Sequence, residues 1–236
     1  MENIYFNIIK VFEKEKKYIM CSLVMGFIIA CLFSLYNSYT YSKNIQEGIA
    51  ESVVRFHVLP NSNNPDDIIL KYKVRDAVLE YTNEFSSECN TRNEFINKIN
   101  ENIENIKTIA ENTLIENNSN YDVKVFFSND IFPYKEYGKV VFPAGEYLGL
   151  RIEIGNGEGN NWWCVMFPSM CFTDENCTDV ENEGIYNLED CLEYDEFEIV
   201  TSKSSNNIAP KMKFKVVELW QEVRFGEDKF VTNSDK

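Results

Sequence analysis

The sequence predicts an α+β fold: an antiparallel β-sheet with two to three helices packed on one face, preceded by one N-terminal transmembrane or signal helix. Three observations predict it. An uncharged stretch runs from Tyr18 to Ser42. Two segments after it place apolar residues at steps of three and four, the helical period. The middle of the chain then alternates at period two between turn-forming residues, the pattern of strands joined by short connections.

The first element is the apolar span. Its strongest part is Ile19 to Tyr36. Roughly 20 apolar residues cross a hydrocarbon core, so it is long enough. Lys14, Lys16 and Lys17 precede it, and the positive-inside rule keeps them in the cytoplasm and sends the rest of the chain across. An uncleaved anchor is the preferred reading over a cleaved signal, because no clear small-x-small cleavage site stands before Lys43. Ile28-Ile29-Ala30-Cys31 loosely matches a lipoprotein signal, but the chain stays apolar after Cys31. All three readings export the remainder. The divisions expected are 1–43 for the cytoplasmic tip and helix, 44–51 for a linker, 52–226 for the exported domain and 227–236 for a flexible tail.

Within the domain, Ser52 to Leu59 reads as a strand rich in β-branched and aromatic residues. Pro60 to Asn64 is a turn. Asn64 offers an N-cap, Pro65 fits the first helical position, and Asp66 and Asp67 suit the positive end of the helix dipole. That helix runs to about Phe85, with Leu70, Val74, Val78, Tyr81 and Phe85 on one stripe. A second helix opens with a capping box, Thr91 and Glu94, and carries Phe95, Ile99, Ile103, Ile106, Ala110 and Leu114 inward.

Strands are then expected near Tyr121 to Phe127, Tyr137 to Phe142, Leu148 to Ile154 and Trp162 to Phe167. Pro143-Ala144-Gly145 makes a turn, and Gly155 to Asn161 a loop. Residues 174–207 are acidic, without sustained periodicity, and read as an exposed insertion or loop. A last helix is expected from Pro210, with Phe214, Val217, Trp220 and Val223 on one face.

Composition excludes some functions. The chain has 236 residues and a net charge of −15, a poor match to nucleic acid, whose phosphates need basic residues. A 44% hydrophobic share supports a real core. Seven cysteines and one histidine show no metal-ligand spacing, so no metal or other cofactor is expected.

Chemistry is sparse. His57 with Cys164 would make an exported cysteine hydrolase, but no local motif joins them. Gly155-x-Gly157-x-Gly159 lacks the following helix of a dinucleotide fingerprint, so a hairpin loop is the better reading. Cys164 and Cys171 flank six residues including Pro168. In an exported domain that spacing suits a disulfide; two buried free thiols are the alternative. Trp162 and Trp163 point to opposite faces of a strand, one for the core and one as an exposed binding anchor.

Several of these segments are similar to one known family. Arg55-Phe56-His57-Val58-Leu59-Pro60-Asn61-Ser62 and Leu70-Lys71-Tyr72-Lys73-Val74-Arg75-Asp76-Ala77-Val78 resemble stage II sporulation protein R. So do Phe142-Pro143-Ala144-Gly145-Glu146-Tyr147, Leu150-Arg151-Ile152 and Lys213-Phe214-Lys215-Val216-Val217-Glu218. The most specific run is Gly157-Glu158-Gly159-Asn160-Asn161-Trp162-Trp163-Cys164-Val165-Met166-Phe167-Pro168, ending at Cys171-Phe172. Pro60 and Asn63 stand where many members have Ala and Asp, and the acidic stretch 174–207 matches no family pattern. The resemblance implies a non-enzymatic signal in endospore formation, made in the forespore and exported into the space between the two membranes. There it triggers the mother-cell membrane protease, an aspartic-type peptidase that processes the precursor of sigma factor E. The partners expected are that membrane-embedded peptidase and, through the N-terminal helix, the membrane, with no nucleic acid and no small-molecule substrate. The candidate contact surface is Asn61, Ser62, Gly157, Asn160, Asn161 and one of Trp162 or Trp163. Arg75 and Asp76 are expected to hold the helix against the turn.

Overall fold

The computed structural model describes residues 2–86, 88–137, 140–171 and 188–201. The chain divides into two compact units, Met1–Ser42 and Lys43–Lys236. One helix, α1 (Glu2–Ser52), contributes residues to both.

In the first unit, α1 is helical throughout and exposes Leu23, Phe27, Ile29, Leu32, Phe33 and Tyr36. By length and composition it can cross a membrane, as the uncharged run predicts.

In the second unit, α1 continues to Ser52, so the expected linker at 44–51 is helix instead. Ile45, Ile49 and Val53 recur at steps of four and are buried. That stripe gives the segment a face to pack, which a linker lacks.

β1 (Val54–Leu59) is buried at every position. α2 (Pro65–Ser86) follows the turn, its first helical bond donated by the Ile68 amide to the Asn64 carbonyl at 3.0 Å. The single long helix expected next is two, α3 (Arg92–Glu101) and α4 (Ile103–Glu116). Thr91 caps α3 as predicted, accepting from the Glu94 amide at 3.2 Å. Asn102 makes the break. Its Nδ2 donates back to the Lys98 carbonyl and its Oδ1 accepts from the Tyr81 hydroxyl, so the side chain competes with the helical ladder.

The strands are β2 (Val123–Phe132), β3 (Lys135–Tyr137), β4 (Val140–Phe142), β5 (Gly145–Ile154) and β6 (Trp162–Phe167). The span expected as one strand at 137–142 belongs to a small hairpin, β3 against β4. The main sheet has the order β2-β5-β1-β6. β2 with β5 and β1 with β6 are antiparallel, whereas β1 and β5 are parallel. The α+β class stands, with one parallel pair inside it. β1 and β5 are not consecutive, so no tight hairpin dictates their direction.

Helices α2, α3 and α4 cover one face, over Phe56, Val58, Leu150 and Ile152. Part of the other face is covered too, by the end of α1, β4 and α5 (Tyr194–Thr201), around Phe132, Tyr147 and Val165. This corrects the reading of 174–207 as exposed loop for its described part, 188–201. Leu188, Leu192, Ile199 and Val200 there are buried. Their apolar surface outweighs the acidic composition that hid the pattern. The helix expected from Pro210, the tail 227–236 and Cys177 lie outside the described residues.

Candidate functional site

The site begins with two connections that lock together. The turn after β1 and the loop after β5 both leave the same end of a parallel strand pair, which brings them side by side. Asn61 Oδ1 accepts from the Asn156 amide at 3.1 Å, and Asn63 Oδ1 from the Asn160 amide at 2.7 Å. The Gly159 amide donates to the Pro60 carbonyl at 3.1 Å. Lys71 on α2, itself buried, donates to the Asn160 carbonyl at 3.1 Å.

Two glycines permit this approach. Gly155 has φ +59 and lies against the Asn61 side chain. A Cβ on Gly159 would run into the Ser62 backbone. Gly157 is also at positive φ, but its surroundings are open, the nearest atom being 3.6 Å from a Cβ.

Asp67 anchors the turn from below. It accepts from Asn61 Nδ2 at 3.1 Å and from Ser62 Oγ at 2.6 Å. Burial pushes its carboxyl upward, but hydrogen bonds from Ser62, Asn61 and Tyr121 outweigh it and leave it below the usual range. Thus Asn61 and Ser62 use their side chains inside the protein. The exposed tips are Asn63, Asn64, Asn156 and Glu158. Asp67 thus ties α2 to the turn; a lone first-turn aspartate reads in sequence only as dipole compensation.

Trp162 and Trp163 lie half-buried on opposite faces of β6, the end strand of the sheet among the described residues. Trp162 meets Phe56 edge-on at 5.9 Å, and the Arg75 guanidinium stacks 4.8 Å above its ring. Arg75 also pairs with Asp76 at 2.6 Å. Arg75 therefore holds α2 against β6. Trp163 stacks flat on His57 at 4.8 Å and meets Phe132 at 4.7 Å.

His57 is 1% exposed, and its Nε2 donates to Asp130 Oδ2 at 3.1 Å. Asp130 also pairs with Arg151 at 3.1 Å and accepts from Ser128. Hydrogen bonding by His57 holds the Asp130 carboxyl down to about 2. Burial holds the imidazole below its ordinary value, so it is neutral at pH 7. Among the described residues, His57 Nδ1 and Asn161 Oδ1 are both buried without a hydrogen bond.

The proposed Cys164–His57 pair does not form. Cys164 pairs with Phe56 across the strands and His57 with Trp163, so their side chains leave opposite faces. Cys164 is moreover joined to Cys171 in a disulfide, as expected, with Cα atoms 5.3 Å apart.

Arg55 carries a feature no sequence signal marked. Its guanidinium is fully buried, 4.6 Å from the Phe132 ring, 5.1 Å from Tyr147 and 5.4 Å from Phe142. Nε donates to the Cys164 carbonyl at 3.0 Å and Nη2 to the Tyr137 hydroxyl at 3.3 Å. No carboxylate pairs with it among the described residues; aromatic faces stabilise the charge instead. Among those residues, no group of three or more His, Cys, Asp or Glu side chains is placed to hold a metal ion.

Residues 50–177 match the family model described as stage II sporulation protein R. The chain is 33% identical to stage II sporulation protein R of Bacillus subtilis (strain 168) over 162 residues, which cover 68% of this chain and 72% of that protein. No solved structure matches.

Proposed function

The chain belongs to the stage II sporulation protein R family, and from that membership we propose that it is an exported signal of endospore formation rather than an enzyme. In this reading it is made in the forespore and enters the space between the two membranes. There it triggers the mother-cell aspartic-type membrane protease that processes the sigma-E precursor. The apolar N-terminal helix would act as signal or anchor, and the Cys164–Cys171 disulfide is compatible with an oxidising compartment.

The observation that carries a binding role is the interlocked turn and loop beside Trp162 and Trp163. Backbone amides, Asn61, Asn63 and Asp67 hold the two connections in one arrangement, so little ordering cost falls on binding. Asn63, Asn64, Asn156 and Glu158 are exposed at its tip, and each tryptophan presents part of an indole. Binding would raise protease activity only by favouring its active state over its inactive one.

The test is co-expression with the membrane protease and the sigma-E precursor in a non-sporulating host. Precursor cleavage should require this chain and its export. Alanine at Asn156 and Glu158 together should reduce cleavage while the melting temperature stays unchanged. Full cleavage without the chain, or none with it exported, would reject the signalling role.

A further inference from the structure

A cleft of about 340 Å³ lies between the end of α2 and the helical turn at 188–191. Asn83, Ser86 and Cys89, Asp190 and Cys191, and Phe167 and Pro168 all line it. Cys89 and Cys191 are both free thiols, both partly buried, and both packed against the same core cluster. Each sits where regular structure ends. Cys89 follows α2, and Cys191 closes the four-residue turn before α5. The backbone at both positions is therefore less constrained than in the middle of a helix. Phe167, among the lining residues, ends the strand that holds Cys164.

We propose that Cys89 and Cys191 are a second redox pair, which closes into a disulfide across this cleft and fastens the acidic segment to the end of α2. The reaction is thiol–disulfide exchange. The thiolate of one cysteine attacks an external disulfide, of the small-molecule or protein dithiol class, and expels one thiolate. The second cysteine then attacks the mixed disulfide and expels the other. The pair loses two protons and two electrons, and the external disulfide becomes two thiols. Burial raises both thiol pKa values, with Glu94 beside Cys89 and Asp190 beside Cys191 adding to it, so little thiolate is present at neutral pH and the exchange is slow, while the disulfide itself is not disfavoured. Joining residues so far apart in sequence restricts the unfolded chain strongly. The link would also hold Leu188 and Leu192, which bury apolar surface in the second core, in place.

The test is a redox titration of the purified full chain in detergent with mixtures of reduced and oxidised glutathione. Thiols are then alkylated, and peptides are mapped by mass spectrometry without reduction. The Cys164–Cys171 peptide reports that oxidation has occurred. Under conditions that close it, a linked Cys89–Cys191 peptide is expected and neither residue should be alkylated. Cys89→Ser should free Cys191 for labelling, and the reverse, while Cys177→Ser should leave the link intact. Alkylation of both Cys89 and Cys191 in chain whose Cys164–Cys171 bond is closed would overturn the proposal. So would a link from either residue to Cys177. The titration does not depend on export, so its failure leaves the signalling role standing, and the reverse also holds.

Discussion

His57 shows how one side chain couples burial to pH. Its ring is enclosed by Trp163 and Phe132, with Asp130 on Nε2, Arg151 beyond Asp130, and Asn161 also close to the imidazole. Because its folded pKa lies below 6.5, the unfolded chain takes up the proton first on acidification. Stability is therefore present above pH 6.5 and falls as pH drops below it. Asp130 acts with the same sign further down, since its folded value of about 2 lies under the 3.8 of an ordinary aspartate. Thermal melts from pH 8 to 3 should show loss beginning near pH 6.5, and His57→Gln should remove that upper step. An unchanged upper step in the variant would assign it elsewhere. Trp163→Ala should cost about 2–4 kcal/mol, because it strips a stacked ring from His57 and Phe132. Chemical denaturation reads that cost, and Trp163→Phe should restore most of it. The sequence marked His57 and the tryptophans as notable but could not see their pairing. That pairing depends on the register of β6 against β1, a long-range fact. Arg55 was illegible for the same reason, as its aromatic neighbours come from β2, β4 and β5.

At the scale of elements, the interlocked turn and loop separate two glycines with similar sequence surroundings. Gly159→Ala should destabilise far more than Gly157→Ala, because a methyl at 159 meets the Ser62 backbone while 157 is open. Gly157→Ala should still cost about 1 kcal/mol for its positive φ. Equal melting temperatures for the two variants would count against the interlock. Cys164→Ser and Cys171→Ser should behave alike, each losing about 2–3 kcal/mol, since both open the same short loop. Helix and strand identities were largely legible here, because α2, α3 and β6 carry strong caps or β-branched and aromatic runs. The split at Asn102 was not, since apolar spacing continues through it and only a side-chain hydrogen bond interrupts the ladder. The hairpin of β3 and β4 was missed because each strand has only three residues.

For the whole molecule, the covered second face of the sheet makes residues 43–52 part of the folded domain. Chain lacking residues 1–42 should keep its unfolding midpoint, whereas removal through residue 50 takes Ile45 and Ile49 from the core and should lower it by several degrees. Differential scanning calorimetry distinguishes the two truncations. Composition made the apolar helix legible. It could not reveal that the acidic segment packs, because charge density masks four apolar residues separated along the chain. The strand order has a further consequence for how the molecule comes into being. β1 is made early, yet both of its neighbours, β5 and β6, are made only after α2, α3, α4 and β2. A nascent chain that has emerged as far as β4 therefore holds an apolar strand with neither edge paired. The three helices can form locally at that stage, but the sheet they cover cannot. Ribosome-stalled chains ending before Gly145 should remain protease-sensitive at β1, and those extended past Phe167 should become resistant. The domain is thus assembled from the outside inward, with its central strand waiting longest for company.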